Sequence, residues 1–353
     1  MLFRPRPSHS VSLALQGGGA HGAFTWGVLD ALLEDGRLQF DGISGTSAGA
    51  MNAVVMAHGL LQGGRDGARE ALARFWQAVG GATPFRKPVE LPFELPFELP
   101  FESFPKPAEN STLGMRMMLQ WARHFSPAQM NPFDVDPLRD IVAEQVDFER
   151  LRAASPVKLF VAATHANTGK LRLFQAPELS VRALLASACL PMLHKAVEID
   201  GEPYWDGAYS ANPAVFPLFY DCEARDILLV LLSPLVHGET PRSAEEIRAR
   251  SLDLAFNSTF LREMRMFAHA TEFVGRSLLP TGRFERRLQQ TRFHLVEAEE
   301  LLSSLSAESR LSANLSFLEM LRDQGRARAK AWLAAHFSLI GRRSSVDLAR
   351  MFY

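Results

Sequence analysis

The sequence predicts an α/β fold with a mostly parallel central sheet, and three observations predict it. Two short apolar runs, Val11–Leu15 and Phe40–Ser44, each pass through a glycine-containing turn into an apolar helical pattern. Further along, Ile227–Leu232 is a continuous apolar run suited to a strand covered on both faces. Parallel strands joined by crossover helices put both glycine turns at the same edge of one sheet, so whatever the turns carry meets there.

Composition sets the outer bounds. With 353 residues and 47% hydrophobic side chains, the chain can bury a large core. A formal net charge of -1 removes the global electrostatic argument for nucleic acid, and no nucleic-acid partner is expected. Cys189 and Cys222 make no disulfide framework and read as buried free thiols in a reducing compartment. Met1–Ser10 is interrupted by Pro5 and Pro7, and no run reaches the roughly 18 apolar residues that span a bilayer. These features lead us to expect a cytoplasmic protein, with peripheral membrane contact left open.

The first strand runs through Gln16 into Gly17-Gly18-Gly19-Ala20-His21-Gly22, after which Phe24, Val28, Leu29, Leu32 and Leu33 repeat at helical spacing. Backbone N–H groups of such a turn point at the helix start and hold an anion, either a nucleotide phosphate or the oxyanion of acyl transfer. No Gly-Lys-Ser/Thr follows, and no ribose-binding acid stands on a second strand, so the nucleotide readings fit poorly. A purely structural turn stays as the alternative.

The second strand feeds Gly45-Thr46-Ser47-Ala48-Gly49, a match to GxSxG. A serine on a sharp strand-to-helix turn needs small neighbours so that the backbone bends and the hydroxyl stands clear. Ala48–Leu61 then reads as a buried helix whose N-terminus favours negative charge beside Ser47. The competing reading is a glycine-rich turn with an N-capping serine.

Gly63, Gly64 and Gly67 end that helix, and residues 68–79 form another, with Leu72, Phe75, Trp76 and Val79 as its apolar stripe. Residues 90–102 are a tandem Leu-Pro-Phe-Glu repeat, where a proline every fourth residue forbids helix and central strand. An extended covering loop is expected there, with lipid contact as the alternative. A methionine-rich helix over Leu113–Phe125, a turn at Asn131–Asp134 and a helix over Pro137–Val146 complete an excursion, residues 63–150, over the site.

Val157–Thr164 returns to strand character and pairs with Lys170–Phe174 across Asn167-Thr168-Gly169. After a short helix at Val181–Ala188, a hairpin of Ala196–Ile199 and Pro203–Trp205 delivers Asp206-Gly207-Ala208, followed by Asn212-Pro213. Taken alone, such an aspartate is a common turn former. Two long helical patterns, Ser243–Ser277 and Ser309–Phe337, flank a last strand at Phe293–Val296. Arg262, Arg265, Arg276, Arg286 and Arg287 make either a solvated basic face or one that meets an anionic surface. The expected organisation is a catalytic domain over 8–240 and a mainly helical extension over 241–353, with strand 292–296 joining the core sheet.

Gly17–Gly22, Gly45–Gly49 and Asp206–Ala208, in that order and in strand-turn-helix context, resemble the patatin-like phospholipase family across residues 11–232. The resemblance implies a three-layer α/β/α patatin-like fold, related to cytosolic phospholipase A2, and a serine/aspartate dyad. Matched by position, Ser47 is the nucleophile and Asp206 the base; Gly17, Gly18, Gly19 and Ala48 surround the oxyanion, and Gly45 and Gly49 shape the elbow. Ala186-Ser187 to Pro191 also resembles the stretch ahead of the family's aspartate strand. One departure is that the family's loop often carries Arg or Lys after the glycines, whereas this chain has Ala20-His21.

The expected function is a serine acyl-ester hydrolase of the phospholipase, lipase or esterase type, acting on a lipid or other acyl ester with no cofactor and no metal. No HExxH or paired-carboxylate cluster appears. Short hydroxyacid oligomers are the alternative substrate. Two rivals stand against the dyad: a Ser/His/Asp triad using His237, His269, His294 or His336, which follow the acid in chain order, and a non-catalytic lipid-binding or scaffold protein on the same fold. No motif specifies an oligomeric state.

Overall fold

The computed structural model describes residues 9–82, 136–275, 282–297, 305 and 307–353. The Leu-Pro-Phe-Glu repeat, the methionine-rich stretch 113–125, the Asn131–Asp134 turn and Arg276 lie outside the described residues.

Strand β1 (His9–Leu15) leads through the glycine loop to helix α1 (Gly22–Asp35), and β2 (Leu38–Thr46) leads through Ser47 to α2 (Ala48–Gly81). α2 is broken where the glycines predict it: Gly63 and Gly64 leave helical geometry, Gly64 with a left-handed φ of 61°. Next come α3 (Pro137–Gln145), N-capped by Asp136, then α4 (Phe148–Ala154), β3 (Lys158–His165) and β4 (Leu171–Gln175). They are followed by α5 (Val181–Ser187), the hairpin β5 (Val197–Ile199) and β6 (Glu202–Asp206), α6 (Phe216–Asp221) and β7 (Asp226–Val230). The C-terminal part supplies α7 (Ala244–Gly275), α8 (Arg283–Gln290), β8 (Arg292–Val296), α9 (Leu315–His336) and α10 (Leu348–Phe352).

The sheet runs β5-β6-β3-β2-β1-β7-β8, with β4 also paired to β3. β3, β2, β1, β7 and β8 are parallel, and β4, β5 and β6 form the antiparallel portion. Successive strands step outward from β1 to β2 and β3, then reverse direction to β7 and β8. Ligands of open α/β sheets bind at such a reversal, at the carboxyl ends of the strands.

Alternation along the strands sorts the core into two layers. Leu13 and Leu15 face one side with Leu29 of α1, Val54 of α2 and Leu321 of α9; Ala14 and Leu229 face the other with Leu218 of α6, Phe260 of α7 and Phe352 of α10. All five residues of β7 are buried, as its unbroken apolar run predicts. β8 adds parallel to β7, so the final strand expected at Phe293–Val296 does extend the sheet. Two of the arginines expected on a basic face hold backbone carbonyls, the half-buried Arg287 and the exposed Arg265. The Arg287 guanidinium donates to the Phe219 carbonyl at 2.9 Å and to further carbonyls beyond α6, and Arg265 donates to the Phe352 carbonyl at 3.0 Å.

Candidate active site

The parallel register aligns Leu15 with Gly45 and Thr46 with Ala162, so the glycine loop and Ser47 leave the sheet at the same edge. β6 runs the other way and pairs Asp206 with Ala163, which brings the aspartate to the far side of β3 from Ser47. Three segments distant in sequence therefore meet around the end of one strand.

Ser47 has φ 53° and ψ -122°, a left-handed conformation that a non-glycine residue keeps only when its surroundings hold it there. The holding contacts are visible. Its N–H donates to Ser187 Oγ at 2.9 Å, and the Ser187 side chain is fully buried. A Cβ on Gly45 would stand 2.5 Å from the Gly49 carbonyl oxygen, and one on Gly49 would overlap the Leu15 carbonyl. Small residues at both positions let the elbow close onto β1, as the GxSxG pattern requires.

A polar web ties the loops together. Asn212 Oδ1 accepts the Gly17 N–H at 2.7 Å, and Thr46 Oγ1 donates to the Ala211 carbonyl at 2.8 Å. Gln16 donates to Asn257 Oδ1 at 2.8 Å and accepts the Ser233 N–H at 2.9 Å, linking the loop to α7 and to the exit of β7. Among the described residues no acceptor takes the N–H of Gly18 or Gly19.

Asp206 is 2% exposed. Its Oδ1 accepts the Ala208 N–H at 2.8 Å, its carbonyl accepts Thr164 Oγ1 at 2.8 Å, and its carboxyl lines the same cavity as Ser47. Burial penalises the charged form and pushes its pKa up to about 7, although the Ala208 N–H and the Ser47 hydroxyl beside it oppose the shift. A carboxyl in this state takes and returns a proton near neutral pH.

The four histidines of the triad reading lie elsewhere, and none lines the cavity at Ser47. His294 is buried on β8 with Nε2 3.0 Å from Asp226 Oδ1, at the first residue of β7, and His269 stacks on Tyr353. His21, inside the glycine loop, is buried 2.7 Å from Ser309 Oγ. Burial first, and the Arg310 charge second, push its pKa down to about 4, so it is neutral.

Ser47 and Asp206 open into a cavity of about 450 Å³. Among the described residues, Met51, Phe75, Trp76 and Val79 of α2 and Leu138 and Ile141 of α3 make an apolar wall. These residues come from the described ends of the stretch between β2 and β3. Ser187, Asn212, His194 and Arg310 are site residues that motif reading passes over. Each approaches from a distant segment, and only Ser187 and Asn212 sit in stretches the sequence singles out. Among the described residues no cluster of His, Cys, Asp and Glu is arranged to hold a metal ion.

A family model described as patatin-like phospholipase matches residues 13–219. No curated protein matches the chain. Among solved structures, VipD from Legionella pneumophila is similar at 14% identity and a TM-score of 0.44, over 98% of this chain and 73% of that one.

Proposed function

The chain belongs to the patatin-like phospholipase family, a family of ester-bond hydrolases, and from that premise we propose that it is a serine acyl hydrolase with Ser47 as nucleophile and Asp206 as base. The observation that carries the reading is that Ser47, at its left-handed turn, and the buried carboxyl of Asp206, whose pKa stands at about 7, line one cavity together with the Gly18 and Gly19 loop.

Ser47 Oγ attacks the acyl carbonyl carbon while Asp206 takes the hydroxyl proton. The N–H groups of Gly18, Gly19 and Ala48 receive the oxyanion, helped by the N-terminus of α2. The Gly17 N–H, committed to Asn212, anchors the loop. Collapse of the intermediate expels the alcohol, which leaves with the proton from Asp206. Asp206 then deprotonates a water that attacks the acyl-serine, the carboxylic acid departs, and the proton returns to Ser47. The apolar wall of α2 and α3 receives the acyl chain, which makes a lipid acyl ester the favoured substrate.

A panel of acyl esters of graded chain length tests the proposal. Turnover is expected to rise from acetyl toward medium-chain esters and to vanish in Ser47→Ala and Asp206→Asn; a Ser47→Ala protein that keeps its activity would overturn it.

A further inference from the structure

The lining of the cavity at Ser47 is mixed. Besides the apolar residues of α2 and α3 it includes the glycine loop, Ser233 and residues of the C-terminal turn Ala307–Leu311, which lies outside the stretch matched by the family. Arg310 of that turn is the only arginine or lysine among the described residues that line the cavity. His21, the basic residue of the glycine loop, is neutral and engaged with Ser309.

Arg310 is held at both ends. A Cβ on Gly19 would overlap the Arg310 carbonyl, so loop and turn touch backbone to backbone, and the neighbouring Ser309 hydroxyl reaches His21 at 2.7 Å. Its guanidinium pairs with Asp253 of α7 and lies 3.5 Å from Ser233 Oγ. These two partners occupy two of the five N–H donors of an arginine, and the side chain keeps 21% of its exposure. A cation fixed in this way loses little freedom when it binds an anion.

We propose that Arg310 is the specificity-determining residue of this pocket, receiving an anionic group carried on the alcohol side of the acyl ester. With the acyl chain on the apolar residues of α2 and α3, the alcohol side of an ester bound at Ser47 takes the rest of the cavity, whose one arginine or lysine among the described lining residues is Arg310. The inference rests on the acyl-hydrolase reading for the orientation of the substrate. Asp253 positions the guanidinium and competes with the ligand for it, and its removal strengthens the preference for an anion.

The test is equilibrium binding to the full chain carrying Ser47→Ala, with 1-hexanoylglycerol and its 3-phosphate as the matched neutral and anionic probes. The chain is expected to prefer the phosphate-bearing ester. Adding Arg310→Gln is expected to lower the ratio of the two affinities about 10- to 100-fold, the worth of a charge-assisted hydrogen bond, and adding Asp253→Asn to raise it. A merely structural Arg310 would move both affinities together and leave the ratio unchanged, and that result overturns the proposal, as does equal binding of the two esters before Arg310 is changed. If Arg310→Gln does not fold, raising the salt concentration on the Arg310 protein decides the matter: the preference shrinks if the contact is ionic, and a salt-independent preference overturns it. Binding requires no turnover, so failure of the hydrolase reading registers separately, as absence of hydrolysis by the protein with Ser47 intact.

Discussion

At the scale of single residues, burial costs stability at Asp206, the proposed base. Burial raises its folded-state pKa to about 7 from 3.8. Between those values the folded chain keeps a proton that the unfolded chain has released. The stability contributed by the protonated carboxyl is therefore complete below about pH 4 and is lost as pH rises through 7. Asp206→Asn is neutral at every pH, and is expected to be more stable than the parent at pH 8 by on the order of a few kcal/mol, with the gain fading toward pH 4. Thermal unfolding at the two pH values measures it, and an equal effect at both would contradict the assignment. Ser187 acts on the other partner, since its Oγ is the acceptor for the Ser47 N–H. Ser187→Ala leaves that donor without its acceptor and is expected to cost about 1–3 kcal/mol in urea unfolding and to slow acylation of Ser47; unchanged stability and unchanged rate would remove Ser187 from the account.

At the scale of elements, α2 carries both the elbow and the apolar wall, and its two halves join at Gly63 and Gly64. A Cβ at either glycine meets nothing within 4 Å, so conformation alone separates them. Gly64, at φ 61°, is expected to lose about 1 kcal/mol on replacement by alanine, whereas Gly63→Ala, at φ -147°, is expected to be near neutral. Equal costs in denaturant melts would argue against the break. The same short-range chemistry explains what was legible in the sequence. The Asn167-Thr168-Gly169 and Asp200-Gly201 turns announce their hairpins, apolar runs mark β1, β2, β3 and β7, and glycines mark the break in α2, because each signal lies within a few residues. The Ser47 to Ser187 hydrogen bond spans 140 residues and the His21 to Ser309 contact 288, so neither leaves a local trace. The extents of strands shift for a similar reason: β2 reaches Leu38 and Thr46, past the apolar run at 40–44, because pairing with β1 on one side and β3 on the other recruits flanking residues.

At the scale of the whole molecule, the chain beyond the matched family region completes the core. β7 and β8 extend the parallel sheet, α9 covers α1, and α7 covers the opposite face. The crossing of α1 and α9 is close enough that a Cβ on Gly27 would overlap the Arg322 backbone, and one on Gly325 the Phe24 carbonyl. Arg326 of α9 also pairs with Asp30 and Glu34 of α1. A fragment ending at residue 240 would expose that apolar face, and is expected to lose cooperative unfolding in denaturant; a cooperative transition like that of the full chain would show that the first 240 residues fold alone. The parallel sheet was readable from two strand-turn-helix units and one fully apolar strand, and the three-layer α/β/α arrangement from the family resemblance. The contribution of the last hundred residues to the site was not, because helical periodicity says which face is apolar and nothing about which loop it covers. No described helix is long and apolar enough to cross a membrane.

The central claim is that Ser47 is activated by Asp206 with no histidine between them. It is tested most directly by the pH dependence of fluorophosphonate labelling, with the adduct located by mass spectrometry. The account predicts a single adduct at Ser47, with a rate that rises with pH as Asp206 loses its proton near 7 and falls about 100-fold or more in Asp206→Asn. Absence of an adduct on Ser47, or an Asp206→Asn protein labelled as fast as the parent, would contradict it.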